Sequence, residues 1–109
     1  MEQPLAEIER VVRKITGARR VTPTMRVFHD LSIAGDDAWE LLEKVGQRFG
    51  TSFEDFQFED YFPEEGMEAL LAHFLRLVGM GRRWKPLTVQ HLADVAVRAS
   101  WFEPAPQVR

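Results

Sequence analysis

The side chains that could do chemistry are few and scattered. Three histidines, His29, His73 and His91, fall in a loop and on two different predicted helices, with none four residues from another, so they do not form the paired face a zinc site uses. Asp30, Asp36 and Asp37 lack the alternating ligands and closing glutamate of a calcium loop, and capping of a helix start explains them better. The neighbouring carboxylates Asp36 and Asp37 diverge on a helix, so they do not converge on one proton as an acid–base pair must. With no cysteine there is no thiolate nucleophile, no thiolate metal site and no disulfide, which fits a reducing compartment. Ser32 is a lone hydroxyl in a loop. Arg82, Arg83, Trp84 and Lys85 form a short basic stretch with one aromatic, of the kind that touches nucleic acid but more often a solvated loop with a packed tryptophan. Gly79 and Gly81 make no dinucleotide fingerprint, because no strand precedes them and the third glycine is absent. These residues point away from an enzyme and predict no metal.

The elements that position them read as helices. Ala38, Leu41, Leu42, Val45 and Phe49 recur at three and four and form one stripe, with Asp37, Glu40, Lys44 and Gln47 on the other side. Asp36 or Asp37 is expected to be the N-cap of this helix, with Asp37 and Glu40 as a capping box, and Gly50 as its left-handed stop. Leu5, Ile8, Val11, Val12 and Ile15 predict an earlier helix between Pro4 and Gly17. Between these two lies a long loop, 18–36, whose Val21, Met25, Val27, Phe28, Leu31 and Ile33 must be pinned to a core, with one turn at Thr22-Pro23. In the run 51–62 the aromatics fit either a helical turn or a short strand, and a short helix or 3₁₀ turn near 53–60 is preferred. Met67, Leu70, Leu71, Phe74, Leu75 and Val78 predict a further helix, as core or as interface. Thr88 is the expected N-cap of the last helix, with Leu87 and Leu92 as a hydrophobic staple. Val89, Leu92, Ala93, Ala96 and Ala99 should face inward, and Trp101 and Phe102 should close the bundle. Residues 1–102 read as one domain and 103–109 as a flexible tail.

Asp30-Leu31-Ser32-Ile33, Asp37, Glu40-Leu41 and Phe49-Gly50 resemble the acyl carrier proteins, where Asp-Leu-Gly-Ala/Ile leads through Asp-Ser-Leu into a helix ending in Phe-Gly. In that register Ala34, Gly35 and Asp36 stand for Asp-Ser-Leu, so Gly35 replaces the serine that accepts 4′-phosphopantetheine. The chain is similar to bacterial acyl-carrier-like proteins that lack this serine. The resemblance implies an all-α acyl-carrier-like bundle of four to five helices with a long structured loop between helices one and two. It implies a non-catalytic protein-interaction module without a cofactor. Two alternatives stand beside it: a genuine acyl carrier protein with 4′-phosphopantetheine on Ser32, and a small nucleic-acid-associated regulator.

The charge pattern speaks to partners. Residues 1–29 hold six basic and three acidic residues, 30–68 two and twelve, and 69–109 six and two. An acid-rich middle disfavours a phosphate backbone and favours a protein with a basic surface. Asp36, Asp37, Glu40, Glu43, Lys44, Glu54 and Asp55 are the expected partner-binding residues. With no apolar run long enough to span a membrane and no apolar leader in MEQPLAEIER, the expectation is a soluble, cytoplasmic monomer.

Overall fold

The computed structural model describes residues 3–62 and 84–104. The predicted helix over Met67 to Val78, His73, Arg82, Arg83 and the end of the tail lie outside the described residues. Those residues are all-α, with helices α1 (Pro4–Thr16), α2 (Gly35–Phe49), α3 (Phe58–Tyr61) and α4 (Val89–Arg98). The only extended pairing among them is two isolated bridges, Arg26 with Thr88 and Ser52 with Ser100.

Three of these helices follow from their apolar stripes. Ile8 and Val12 of α1, Ala38, Leu41, Leu42 and Val45 of α2, and Val89, Leu92, Ala93, Val95 and Ala96 of α4 are all buried in one core. Burying a valine, leucine or isoleucine stabilises by about 1.5–3 kcal/mol, so the two or three of them on each face hold a short helix that would melt alone. Gly17 and Gly50 end α1 and α2 with φ of 75° and 66°, as their sequence positions predict. Among the described residues the most extensive helix contact is α1 with α4, and α2 rests on both.

The long connection 17–34 is ordered because it supplies what α4 lacks. The first turn of any α-helix has N–H groups with no partner inside the helix. Here Val89 N–H donates to the Met25 carbonyl at 2.9 Å and Gln90 N–H to the Pro23 carbonyl at 2.9 Å. His91 N–H donates to Thr88 Oγ1 at 3.0 Å, so the predicted cap is present. In return Val27 N–H donates to the Leu87 carbonyl at 2.7 Å. Val21, Val27 and Ile33 go into the core beside Leu87. The turn at Thr22 closes through Met25 N–H to the Thr22 carbonyl, 3.2 Å.

Asp30 then ties the loop to itself. Its Oδ2 accepts from the Arg26 backbone N–H at 2.7 Å and from Nε at 3.0 Å, and its Oδ1 from Nη2 at 3.0 Å. The Arg26 side-chain hydrogen bonds, joined by the backbone one, hold the Asp30 carboxyl down at about 2. A depressed carboxyl contributes its stabilisation above the ordinary carboxylate range and loses it as pH falls through the folded-state value. The stability advantage of the wild type over Asp30→Asn, measured by urea unfolding, should therefore be full above roughly pH 5 and shrink toward zero near pH 2. A pH-independent difference would mean that the pair does not close the loop.

Several local expectations change. Neither Asp36 nor Asp37 caps α2: the N-cap is Ala34, which makes no side-chain cap, and the helix begins at Gly35. Gly35 has a φ of 58°, a left-handed conformation at the point where the chain turns into the helix, two to three residues earlier than an Asp36 or Asp37 cap would place it. The two acids consequently occupy the first turn, where they favour the positive end of the helix dipole without forming a capping box. The helix in 51–62 lies later than 53–60. Phe53 to Phe56 is a turn closed by Phe56 N–H to the Phe53 carbonyl at 3.0 Å, and α3 follows it. Ala99 does not pack inward; it is the left-handed C-cap of α4, with φ 68°.

The far end of the bundle is an aromatic cluster. Trp101 is 6% exposed and stands edge-on to Phe56, Tyr61 and His91, with centroids 4.6, 5.4 and 5.3 Å away. The tail does not fray at residue 103 as its composition suggests. Glu103 accepts from the Tyr61 hydroxyl at 2.5 Å and from Trp101 Nε1 at 3.2 Å, with Lys85 Nζ 3.8 Å away. The hydrogen bond from Tyr61, helped by Trp101 and Lys85, outweighs burial and holds the Glu103 carboxyl below its usual range. Burial, then Glu103, pushes the Tyr61 phenol far above its usual value.

Candidate functional site

The outward side of α2 was the expected partner-binding face, and the structure divides it in two. At a hundred degrees per residue, Asp37, Lys44 and Arg48 fall on one flank of the buried stripe and Trp39, Asp36 and Glu43 on the other. Asp37, Glu40, Lys44, Gln47 and Arg48 line an open groove of about 520 Å³ against α1, where Val11, Ile15, Arg10 and Lys14 complete the walls. Glu7 sits at its side with an 11% exposed side chain and bridges Arg10 and Arg48. Burial acts to raise the Glu7 carboxyl, but the hydrogen bonds from Arg10 and Arg48 outweigh it and hold it below the usual range. Lys44 pairs loosely with Glu40 at 3.9 Å, both half exposed, a pair worth about 0.5 kcal/mol or less.

The other flank carries Trp39, which the reading of the apolar stripe passed over. Trp39 is 54% exposed, and its indole stacks on the Phe58 ring with centroids 4.2 Å apart and planes 5° from parallel. Asp36 and Glu43 stand one turn to either side of it on α2, and Glu59 follows Phe58; all three are exposed. Glu54 and Asp55 are exposed on the turn that carries the chain from α2 back to Phe58. The expected acids are therefore all at the surface, but Asp37, Glu40 and Lys44 are on the α1 side while Asp36 and Glu43 surround the tryptophan. The signal was available: a tryptophan three residues after one acid and four before another sits just off the buried stripe.

Gly35, which stands in the register of the carrier serine, and Ser32, the alternative attachment residue, both occupy left-handed backbone. Gly35 is buried, and as a glycine offers no hydroxyl. Ser32 is exposed with φ 59°, and it takes part in the loop through its backbone N–H, which donates to the Phe28 carbonyl at 2.9 Å. Trp84 is 6% exposed and packs edge-on against Phe28 at 5.4 Å, so its ring is not presented for stacking on a base. Lys85 is engaged with Asp60 at 3.6 Å as well as with Glu103. His91 Nε2 donates to the Phe102 carbonyl at 2.8 Å, a structural role. Among the described residues no group of three or more His, Asp or Glu could hold a metal ion. No helix among them is long and apolar enough to cross a membrane.

Among the described residues these features define an all-α fold that presents an exposed aromatic stack beside carboxylates. Residues 5–103 match the family described as protein of unknown function (DUF1493), and the chain belongs to that family. No curated protein matches the chain, and no solved structure does.

Proposed function

We propose that the protein is a non-catalytic interaction module, an acyl-carrier-like bundle without a prosthetic arm, which docks a partner of basic surface through the acids of α2 and of the turn after it. The observation that carries this reading is the exposure of Asp36, Asp37, Glu40, Glu43, Glu54 and Asp55 on and beside one helix. Their summed field draws in a basic surface and speeds encounter. The match of Asp30 to Ile33 and of Phe49-Gly50 to the carrier pattern supports the bundle, as does a long apolar loop leading into α2. A buried glycine where the pattern has its serine supports the missing arm.

The first test is intact mass after incubation with coenzyme A and a broad phosphopantetheinyl transferase. The mass should not change. A gain of one arm that disappears in Ser32→Ala would overturn this reading in favour of a carrier modified at Ser32. The second test uses the partner recovered by affinity capture, titrated against Asp37→Lys, Glu40→Lys and the triple variant with Glu43→Lys. Exposed pairs contribute about 0.2–1 kcal/mol each, so one reversal weakens binding a fewfold at most and three remove most of it. Affinity should also fall as salt is raised, since the Debye length is about 8 Å at physiological ionic strength. Unchanged affinity and no salt dependence would assign the docking to another surface.

A further inference from the structure

The sequence holds three tryptophans, and two of them, Trp84 and Trp101, are each 6% exposed. Trp39 alone of the three leaves half its surface in water, at 54%. Its indole is nevertheless not loose, because Phe58 stacks against it at 4.2 Å. An aromatic held in one orientation loses little freedom when something binds it, and tryptophan is the strongest aromatic partner for a cation. The cations nearby on α2 are committed to the opposite flank: Lys44 to Glu40 at 3.9 Å and Arg48 to Glu7. Among the described residues, cations lie over Tyr61 and Phe102 but none over Trp39. The carboxylates around it, Asp36, Glu43 and Glu59, are all exposed.

We infer that Trp39 and Phe58 form a platform for an arginine side chain of the basic partner, with the guanidinium lying on the indole and its N–H groups donating to the carboxylates of Asp36 and Glu43. This rests on the docking reading above and specifies its chemistry. Charge alone would accept lysine equally. The platform does not, because a guanidinium is planar, weakly hydrated and forked, so it stacks on the ring and donates to carboxylates at once, whereas an ammonium is a compact, strongly hydrated point charge.

The probes are hexa-arginine and hexa-lysine peptides, titrated against the full chain while acrylamide quenching reports the exposure of Trp39. The arginine peptide should bind about three- to fivefold tighter than the lysine peptide, the increment of an exposed cation–π contact, and should shield the indole from quenching. In Trp39→Leu, which keeps an apolar side chain and whose helicity is checked by circular dichroism, arginine should fall to the level of lysine. Trp39→Phe should keep part of the preference. Equal binding of the two peptides to the wild type, lost for both in Asp36→Lys with Glu43→Lys, would overturn the platform and leave acidic docking standing. Absence of binding by either peptide, with no effect of the reversals, would overturn both. Self-association that disappears in Trp39→Leu, read by sedimentation, would also overturn the arginine assignment and make a second copy the occupant.

Discussion

Replacing Trp101 by alanine should destabilise the protein by about 3–5 kcal/mol, the range for removing a large buried aromatic. The ring fills the space between α3, the turn at Phe53 to Phe56 and the first turn of α4, with Phe53, Phe56, Tyr61 and His91 around it. Its indole N–H is one of two donors to Glu103, so truncation also withdraws a hydrogen bond from that carboxylate. Against the total of about 5–15 kcal/mol typical of a small domain, the loss is a large fraction. Thermal unfolding should shift down by roughly 12 °C or more. Trp101→Phe keeps most of the burial and loses the donor, and should cost about 1 kcal/mol, the net worth of one hydrogen bond. If alanine and phenylalanine were equally mild, the aromatic cluster would be packed independently of the core, and the bundle end would not depend on it.

The second large effect is expected from Gly35→Ser, the substitution that restores a serine to the carrier register. A residue with a Cβ in the left-handed region costs about 1–2 kcal/mol. Gly35 is at φ 58° and buried, so the new hydroxyl must also find a partner or add about 1–3 kcal/mol for being left without one. The unfolding free energy from urea titration should fall by about 2 kcal/mol or more in total, and Gly35→Ala should lack the hydroxyl's share of that loss. The variant should still take no phosphopantetheine in the intact-mass assay, because Ala34 and Asp36 also differ from the carrier's flanking residues. A serine variant as stable as the wild type that accepted the arm would show the glycine to be incidental.

The parts of this architecture legible in the sequence are those set by local rules. The stripes of α1, α2 and α4, the stops at Gly17 and Gly50 and the cap at Thr88 each need only a few neighbouring residues to be recognised. The apolar loop was legible as pinned, but not what pins it, because the acceptors for Val89 and Gln90 N–H lie on a distant stretch. The start of α2 was misplaced because acids at a helix start look alike whether they cap it or only face its dipole, and the left-handed turn at Gly35 has no periodicity to betray it. The register of α3 was off for a similar reason: in a run alternating aromatics and acids, several turns bury rings equally well. Glu103 looked like tail because a carboxylate next to proline reads as polar, while its donors, Tyr61 and Trp101, are recognisable only once the chain is folded. The acids expected to dock a partner are exposed, but they do not share one face. A helical wheel treats the outward arc of α2 as one face, whereas α1 on one side and Phe58 on the other make it two.

The bonding of Pro23, Met25 and Val27 to Leu87, Val89 and Gln90 joins segments about sixty positions apart in the chain. It has a consequence for the order in which the protein can be made. During synthesis the N-terminal stretch emerges first and is available to fold long before the last helix exists. Here α1 packs on α4 as well as on α2, so a nascent chain carries part of the surface of Ile8, Val12, Val21 and Val27 uncovered until α4 has emerged. A chain truncated before α4 would leave the Val89 to Ala96 side of this core open and the Met25 and Pro23 carbonyls without the N–H donors of Val89 and Gln90.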